Sequence, residues 1–229
     1  MNEVLLLLTV LLYFSMPLVA EKAFGRYGVY AWVVIGSLWM NVEVVKVIGA
    51  FGAEMTLGNV LLSSTFLCTD ILSEKYGRDA SRKAALLGSF AIVASLAITQ
   101  IMLAFEPSQS DFAQGAMETL FTQMPRLALA SFVTYFVVQL HDVWLYHKIW
   151  AITEKRFGSG KMLWLRNCGS TIVSQFINAF LFTALAWYGV YDMSTIVSLS
   201  LATFTITAVL ALADTPFIYA SKRLVRPGR

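Results

Sequence analysis

Seven apolar runs, at residues 3–20, 27–48, 56–73, 83–104, 125–147, 167–190 and 195–220, decide what this chain can become. Each holds about 20 residues, enough for an α-helix to cross a hydrocarbon core roughly 30 Å thick. In lipid every backbone amide must find its partner inside the protein, so such runs fold as helices. The 229 residues are 58% apolar and only 14% charged, against roughly 25% charged in soluble domains. The chain is therefore predicted to be all-α, a polytopic transmembrane helical bundle of six to seven spans, with residues 1–229 as a single membrane domain. The longest hydrophilic stretches, 105–124 and 148–166, are too short for a soluble domain. The first of them, with Pro107, Ser108, Ser110 and Asp111, reads as a loop, with a short interfacial helix over Phe112 to Phe121 as the alternative.

The basic residues occupy alternate loops. All but Lys46 and Arg126 of the 17 fall at 22–26, 75–83, 148–166 and 222–229, whereas the opposite loops hold Glu106, Asp111, Glu118 and Asp192. Short loops rich in Lys and Arg stay on the cytoplasmic side. The C-terminus is thus expected in the cytoplasm and, after seven crossings, the N-terminus outside. Topology absorbs the net charge of +3 and leaves no basic patch, so no nucleic-acid partner is expected. Residues 1–20 do not read as a signal peptide, because Glu3 stands in the region that should be basic and Leu18 where a small residue is wanted.

Little in the chain points to metal or cofactor chemistry. Cys68 and Cys168 are lone and read as buried, unreactive thiols. His141 and His147 are six residues apart, on different faces of a helix, so no metal site is expected. Gly158-Ser159-Gly160 reads as a flexible turn; the following Lys161 does not make a phosphate-binding loop, because the earlier glycine is missing and Met162 replaces the required Ser or Thr.

Against this background a few polar residues stand out. Gln139 and Gln175 each sit inside an apolar run and are followed three residues later by Asp142 and Asn178. The frames TYFVVQLHDVWLY (134–146) and STIVSQFINAFLF (170–182) share Val137/Val173, Gln139/Gln175 and Leu145/Leu181. Polar side chains in hydrocarbon face a bundle interior or a watery cavity, which makes these candidate substrate groups. Gln139 precedes Lys148 by nine residues and Gln175 follows Arg166 by nine, so both lie roughly 14 Å from the inner face. Secondary transporters bind substrate at that depth. Asp142 then lies nearer the cytoplasm and Asn178 nearer the outside. Asp214, eight residues before Lys222, has a comparable depth.

Asp70 lies roughly 6 to 8 Å inside the inner interface and requires a partner, a ligand or a proton. Glu74, one turn on, reads as an interface residue pairing with Lys75, Arg78 or Arg82. Asn41, Glu43 and Lys46 fall in the outer third. There Lys46 snorkels and Glu43 neutralises it, or the group forms an outer gate. Gly88 with Ala91 and Ala94, and Gly49 with Gly52 and Ala53, read as sites of close helix packing. Pro216 reads as a bend. The stretch 164–175 adds Asn167, Ser170, Thr171 and Ser174 to the start of the sixth run.

Asn41 with Lys46 and Gly52, DILSEKYG at 70–77, Gln139 with Asp142, and WLRN–ST–SQ within 164–175 together resemble the queuosine precursor transporters, over most of the chain. That resemblance implies a bacterial inner-membrane importer of 7-deazaguanine bases, 7-cyano-7-deazaguanine or its 7-aminomethyl relative, for salvage into the tRNA nucleoside queuosine. The family pattern usually carries a second aspartate after Ser-Gln; Asn178 stands there, keeping the hydrogen bonds and losing the charge. A deazaguanine presents a ring NH and an amine beside a carbonyl, which a carboxylate and a carboxamide can match, while Trp144, Tyr135, Phe180 or Phe176 offer stacking faces.

The substrate set expected is Gln139, Asp142, Gln175, Asn178, Asp70 and Asn167, on the third, fifth, sixth and seventh runs. Asn41, Glu43, Lys46, Glu74 and Asp214 are expected as gate or structural polar residues. The expected partners are a small-molecule 7-deazaguanine base and the lipid bilayer, with a homodimer as the assembly considered. The alternative reading is a substrate-binding membrane subunit of an ATPase-driven vitamin or nucleobase importer. No nucleophile elbow or His-Glu-x-x-His pattern supports an intramembrane enzyme.

Overall fold

Each apolar run closes into a helix, and the helices stop where polar residues or glycine return the backbone to water. The computed structural model describes residues 1–121, 124–158 and 161–224. Among them are α1 (Asn2–Phe24), α2 (Arg26–Glu43), β1 (Val47–Ala50), β2 (Ala53–Thr56), α3 (Gly58–Tyr76), α4 (Arg78–Leu103), α5 (Gln114–Phe121), α6 (Met124–Phe157), α7 (Leu163–Trp187), α8 (Met193–Ala213) and α9 (Thr215–Leu224). Among the described residues the bundle is all-α apart from one hairpin, and α5 falls within 112–121, where the helical alternative to a loop was considered. Ser159 and Gly160 of the expected turn, and Arg226 and Arg229 of the basic tail, lie outside the described residues.

Among the described residues five helical segments are long and apolar enough to cross a membrane: α1, α4, α6, α7, and α8 continued by α9. Seven runs were expected to span. The two outside this group are α2 and α3, with 18 and 19 residues; α3 also carries Asp70, Glu74 and Lys75 in its last turns. At 34 residues, α6 is about 50 Å long and outreaches a bilayer core.

The second run does not continue as helix to residue 48. The helix ends at Glu43 and the chain enters an antiparallel hairpin with Val47 opposite Thr56 and Ala50 opposite Ala53. Its two-residue connection is Phe51-Gly52, both at positive φ (52° and 76°), the conformation that lets a tight turn follow the twist of its strands. Gly49 and Gly52 therefore serve a hairpin, and the expected helix packing there is corrected. Gly88 does mark a close approach: a Cβ on it would strike the Tyr135 hydroxyl and Ser37 Oγ, where α2, α4 and α6 meet.

Burial runs opposite to that of a soluble protein. Arg166, Gln139 and Gln175 are among the largest fully buried side chains, while Leu5, Leu8, Leu12, Phe90 and Ile98 are exposed. An apolar exterior around a polar interior is stable only when the surroundings are apolar too.

Two ends can be told apart. At the hairpin end, Asn2 Nδ2 donates to the Gly49 carbonyl at 2.9 Å, and Arg126 holds the Tyr188 carbonyl. Asp192 caps α8 there, accepting from the Thr195 hydroxyl at 2.6 Å and its backbone N–H at 3.2 Å, which holds the Asp192 carboxyl below its usual range. At the charged end, Glu74 of α3 receives Arg166 of α7 at 2.6 Å, Lys222 of α9 at 2.7 Å and the Tyr146 hydroxyl of α6 at 3.0 Å. Beside it Lys75 pairs with Glu21 of α1 at 2.8 Å, and Ser221 donates to Glu21 at 2.7 Å.

The partners predicted for Glu74 were wrong, and the reason is angular. Successive helical residues point about 100° apart, so Lys75 turns toward α1 while Glu74 turns toward α7. Pro216 also acts more sharply than a bend. Without an N–H it cannot extend α8, so α8 stops at Ala213, Asp214 caps it, and α9 begins anew.

Glu74→Ala would leave the Arg166 guanidinium buried and unpaired. Unfolding of the detergent-solubilised protein should show a loss of about 3–5 kcal/mol. Lys222→Ala should lose under about 1 kcal/mol, since that side chain is 40% exposed. Equal losses for the two would remove the buried pair as the dominant contact.

Candidate substrate site

From the Glu74 cluster a column of polar side chains climbs the interior toward the hairpin. The first step is Asn167, beside Arg166 on α7, whose Nδ2 donates to Asp214 Oδ1 at 2.7 Å. One turn further, the Thr171 hydroxyl donates to Asp70 Oδ2 at 3.2 Å. Asp142 of α6 lies across from Ser170 and Ser174. The Ser170 hydroxyl turns to the Asn167 carbonyl at 3.3 Å and Ser174 Oγ meets His141 Nδ1 at 3.1 Å, and neither Asp142 oxygen accepts a hydrogen bond from the protein.

Above this layer Gln139 is held twice by α3: its Nε2 donates to Thr65 Oγ1 at 3.1 Å, and Thr69 Oγ1 donates to its Oε1 at 3.2 Å. A carboxamide satisfied at both ends is a structural fastener, and this one ties α6 to α3. Gln175 differs. Its Oε1 accepts from Asn178 Nδ2 at 3.3 Å, while its Nε2 has no protein partner although the side chain is fully buried. A buried donor left unpaired costs about 1–3 kcal/mol, so a group of this kind points to a ligand.

The column ends at a cavity of about 590 Å³. Asn178 lines it together with Thr134 and Tyr135 of α6, Asn41 of α2 and Asn59 of α3. Phe182 and Trp187 of α7 and Thr203 of α8 close its sides, and Val47, Glu54 and Thr56 of the hairpin form its rim. Polar groups on a mostly apolar wall are the usual composition of a small-ligand site.

The six expected substrate residues thus separate by level. Asn178 lines the cavity, and Gln175 lies one turn behind it, joined to it by a hydrogen bond. Gln139, Asp142, Asp70 and Asn167 are buried deeper and do not line it. Asp214 sits next to Asn167, one step from the charged end, because α9 is a separate helix and counting back from Lys222 overstated its depth.

The outer polar group also differs from expectation. Asn41 lines the cavity and donates to the Ser37 carbonyl at 2.8 Å. Glu43 accepts from the Tyr13 hydroxyl of α1 at 2.5 Å, and Lys46 is exposed beyond the end of α2, with no ion pair between them. The helix stops at Glu43, so the three-residue helical spacing never forms. Of the proposed stacking aromatics, Tyr135 reaches the cavity, whereas Trp144 and Phe176 are about half exposed on the outer surface. Phe182, Trp187 and Tyr191 supply the other cavity rings, the last two 5.5 Å apart. Asn41 of α2 is expected only as a gate or structural residue, and the hairpin is not expected at all. Phe51-Gly52 between short alternating flanks was the available signal.

Cys68 and Cys168 are free and buried. Among the described residues no three His, Cys, Asp or Glu side chains converge to hold a metal ion.

This architecture, a polar column inside an apolar shell ending in a cavity, is that of a membrane carrier, and comparison with known proteins agrees. Residues 56–221 match the family model described as "Putative vitamin uptake transporter". The chain is also 37% identical over 215 residues, 94% of its length and 92% of the relative's, to the "Probable queuosine precursor transporter" of Bacillus subtilis (strain 168). The chain belongs to this transporter family. It is a multi-pass membrane protein. No solved structure matches it. The family match begins at Thr56, so it includes α3 and α7 with the whole polar column and leaves out α1, α2 and most of the hairpin.

The levels are open to test by thiol chemistry, because both native cysteines are buried. Asn178→Cys should react with a small water-soluble maleimide added from the hairpin end. Gln139→Cys and Asp142→Cys should stay unlabelled on the same timescale, read by mass shift. Labelling of all three alike would contradict the separation of cavity and column.

Proposed function

We propose that the chain carries queuosine precursors, 7-deazaguanine bases, across the bacterial plasma membrane by alternating access, without chemically altering them. The observation that carries this reading is the cavity floor. Asn178 lines it, and behind Asn178 the Gln175 carboxamide keeps a free donor in a fully buried position. A guanine-like edge presents one carbonyl acceptor beside two N–H donors. Gln175 Nε2 suits the carbonyl, Asn178 Oδ1 suits an N–H, and Glu54 at the rim is a further acceptor. Tyr135 and Trp187 offer faces for the bicyclic ring.

All seven long helical segments cross the membrane in this reading, α2 and α3 included, with the charged end in the cytoplasm. The cavity is then the outward-facing half of the path. The Glu74–Arg166–Lys222 cluster closes the inner half, and transport requires that closure to pass from one end to the other. The neutral Asn178 bears on cargo choice: with no charge at the floor, the neutral 7-cyano base is favoured over the cationic 7-aminomethyl base.

Uptake of labelled 7-cyano-7-deazaguanine into cells unable to make queuosine should fall roughly tenfold or more for Asn178→Ala and Gln175→Ala at equal protein level, the worth of one or two hydrogen bonds. Asn178→Asp should shift the preference toward the aminomethyl base, measured by competition. Undiminished uptake in both alanine variants would remove the cavity floor as the binding site.

A further inference from the structure

Asp70, Asp142 and Asp214 are fully buried beneath the cavity, and the hydrogen atoms available to them are too few. Asp70 Oδ1, both oxygens of Asp142 and Asp214 Oδ2 have no donor. Asn167 wedges its carboxamide into the same layer, giving its Nδ2 to Asp214 and leaving its own Oδ1, in a fully buried side chain, with no donor either. Five acceptor atoms in one buried layer have no protein donor. Ionised carboxylates can only accept, so the layer as three anions would stack unsatisfied acceptors on unpaired charge.

Among the described residues no cation is at hand to neutralise them. Arg166 and Lys222 are engaged by Glu74, and Lys75 by Glu21. On α6, Tyr146 donates to Glu74 and His141 is joined to Ser174. The thiols of Cys68 and Cys168 are the other titratable groups beside Asp70, and the buried faces of α4 and α8 carry no ionisable side chain. Nor does the layer form a cage for a metal ion, since no three such ligands converge among the described residues.

Resting on the transport reading above, we infer that this layer is a proton-binding site, distinct from the substrate cavity, and that the protein is a proton symporter. A proton adds to a carboxylate oxygen of Asp142 or Asp70 to give the neutral acid, whose O–H then supplies one of the missing donors. Its loss at the other membrane face restores the anion. The carboxylic acid is the form that a dry, closed layer accepts. The anion demands water, so protonation couples to closure over the cargo. Asp142 is the principal carrier, because neither of its oxygens receives a hydrogen bond, with only the Ser170 and Ser174 hydroxyls of α7 facing it. Asn178 and Gln175 link the cavity floor to this layer along one face of α7.

Purified protein in liposomes tests this with labelled 7-cyano-7-deazaguanine, a neutral cargo. With voltage clamped, an inward proton gradient of one pH unit should drive about tenfold accumulation per coupled proton, and a protonophore should abolish it. Asp142→Asn and Asp70→Asn, checked for folding by size-exclusion profile, should lose gradient-driven accumulation and retain counterflow exchange of label against unlabelled base. Should either variant fail to fold, the wild-type gradient and protonophore measurements decide alone. Counterflow in the wild type with accumulation indifferent to the proton gradient, or driven by sodium instead, would overturn the symport. Absence of counterflow in the wild type would overturn the transport reading itself and the symport with it.

Discussion

The contact on which the rest of the interior depends is the buried pair between Glu74 and Arg166. A guanidinium and a carboxylate removed from water tolerate each other only in a narrow geometry. Here the fork of Arg166 meets Glu74 at 2.6, 2.8 and 3.0 Å, with the guanidinium also lying 4.4 Å from the Trp150 ring centroid. That geometry sets the register of α3 against α7. Once it is set, Asp70 meets Thr171 one turn higher, and the next turn of α3 brings Thr69 and Thr65 to Gln139. A shift of α3 would unmake the Asp70–Thr171 and Gln139 rungs, and a shift of α7 the Asp70–Thr171 and Asn167–Asp214 rungs.

Much of the fold was legible because lipid imposes a simple rule on sequence. Apolar length marks a helix, and each of the seven runs contains one. The column was partly legible by the same rule: Gln139, Gln175, Asp70 and Asp142 are conspicuous because they are costly. What spacing could not supply was partnership between helices. Glu74 seemed served by its neighbours in sequence, yet it takes its cations from α7 and α9, 92 and 148 residues away. Likewise two similar frames suggested that Gln139 and Gln175 do the same work. Their surroundings separate them, since α3 offers two threonines to the first, while the second finds only Asn178 on its own helix.

The cavity was least legible, and the hairpin explains why. The hydropathy reading ends the second run at 48, begins the third at 56, and takes Gly49, Gly52 and Ala53 between them for helix packing. The backbone instead follows the positive-φ pair Phe51-Gly52, which bends the chain back upon itself. Strand residues then face the cavity, and α2 joins its wall. The cavity wall consequently draws on the part of the chain that precedes the family match at Thr56 as well as on the part within it.

The hairpin is also short on slack. Only residues 44–46 join it to α2 and Leu57 alone joins it to α3, with the Leu57 N–H bonded to the Lys46 carbonyl at 3.1 Å across its base. A strap so mounted cannot flap like a long surface loop. Its motion is slaved to the two helices that carry it, and α3 in turn is bolted to α6 and α7. Whatever widens or narrows the mouth therefore acts as a lever with its fulcrum in the polar column, and the mouth and the buried carboxylates cannot change independently.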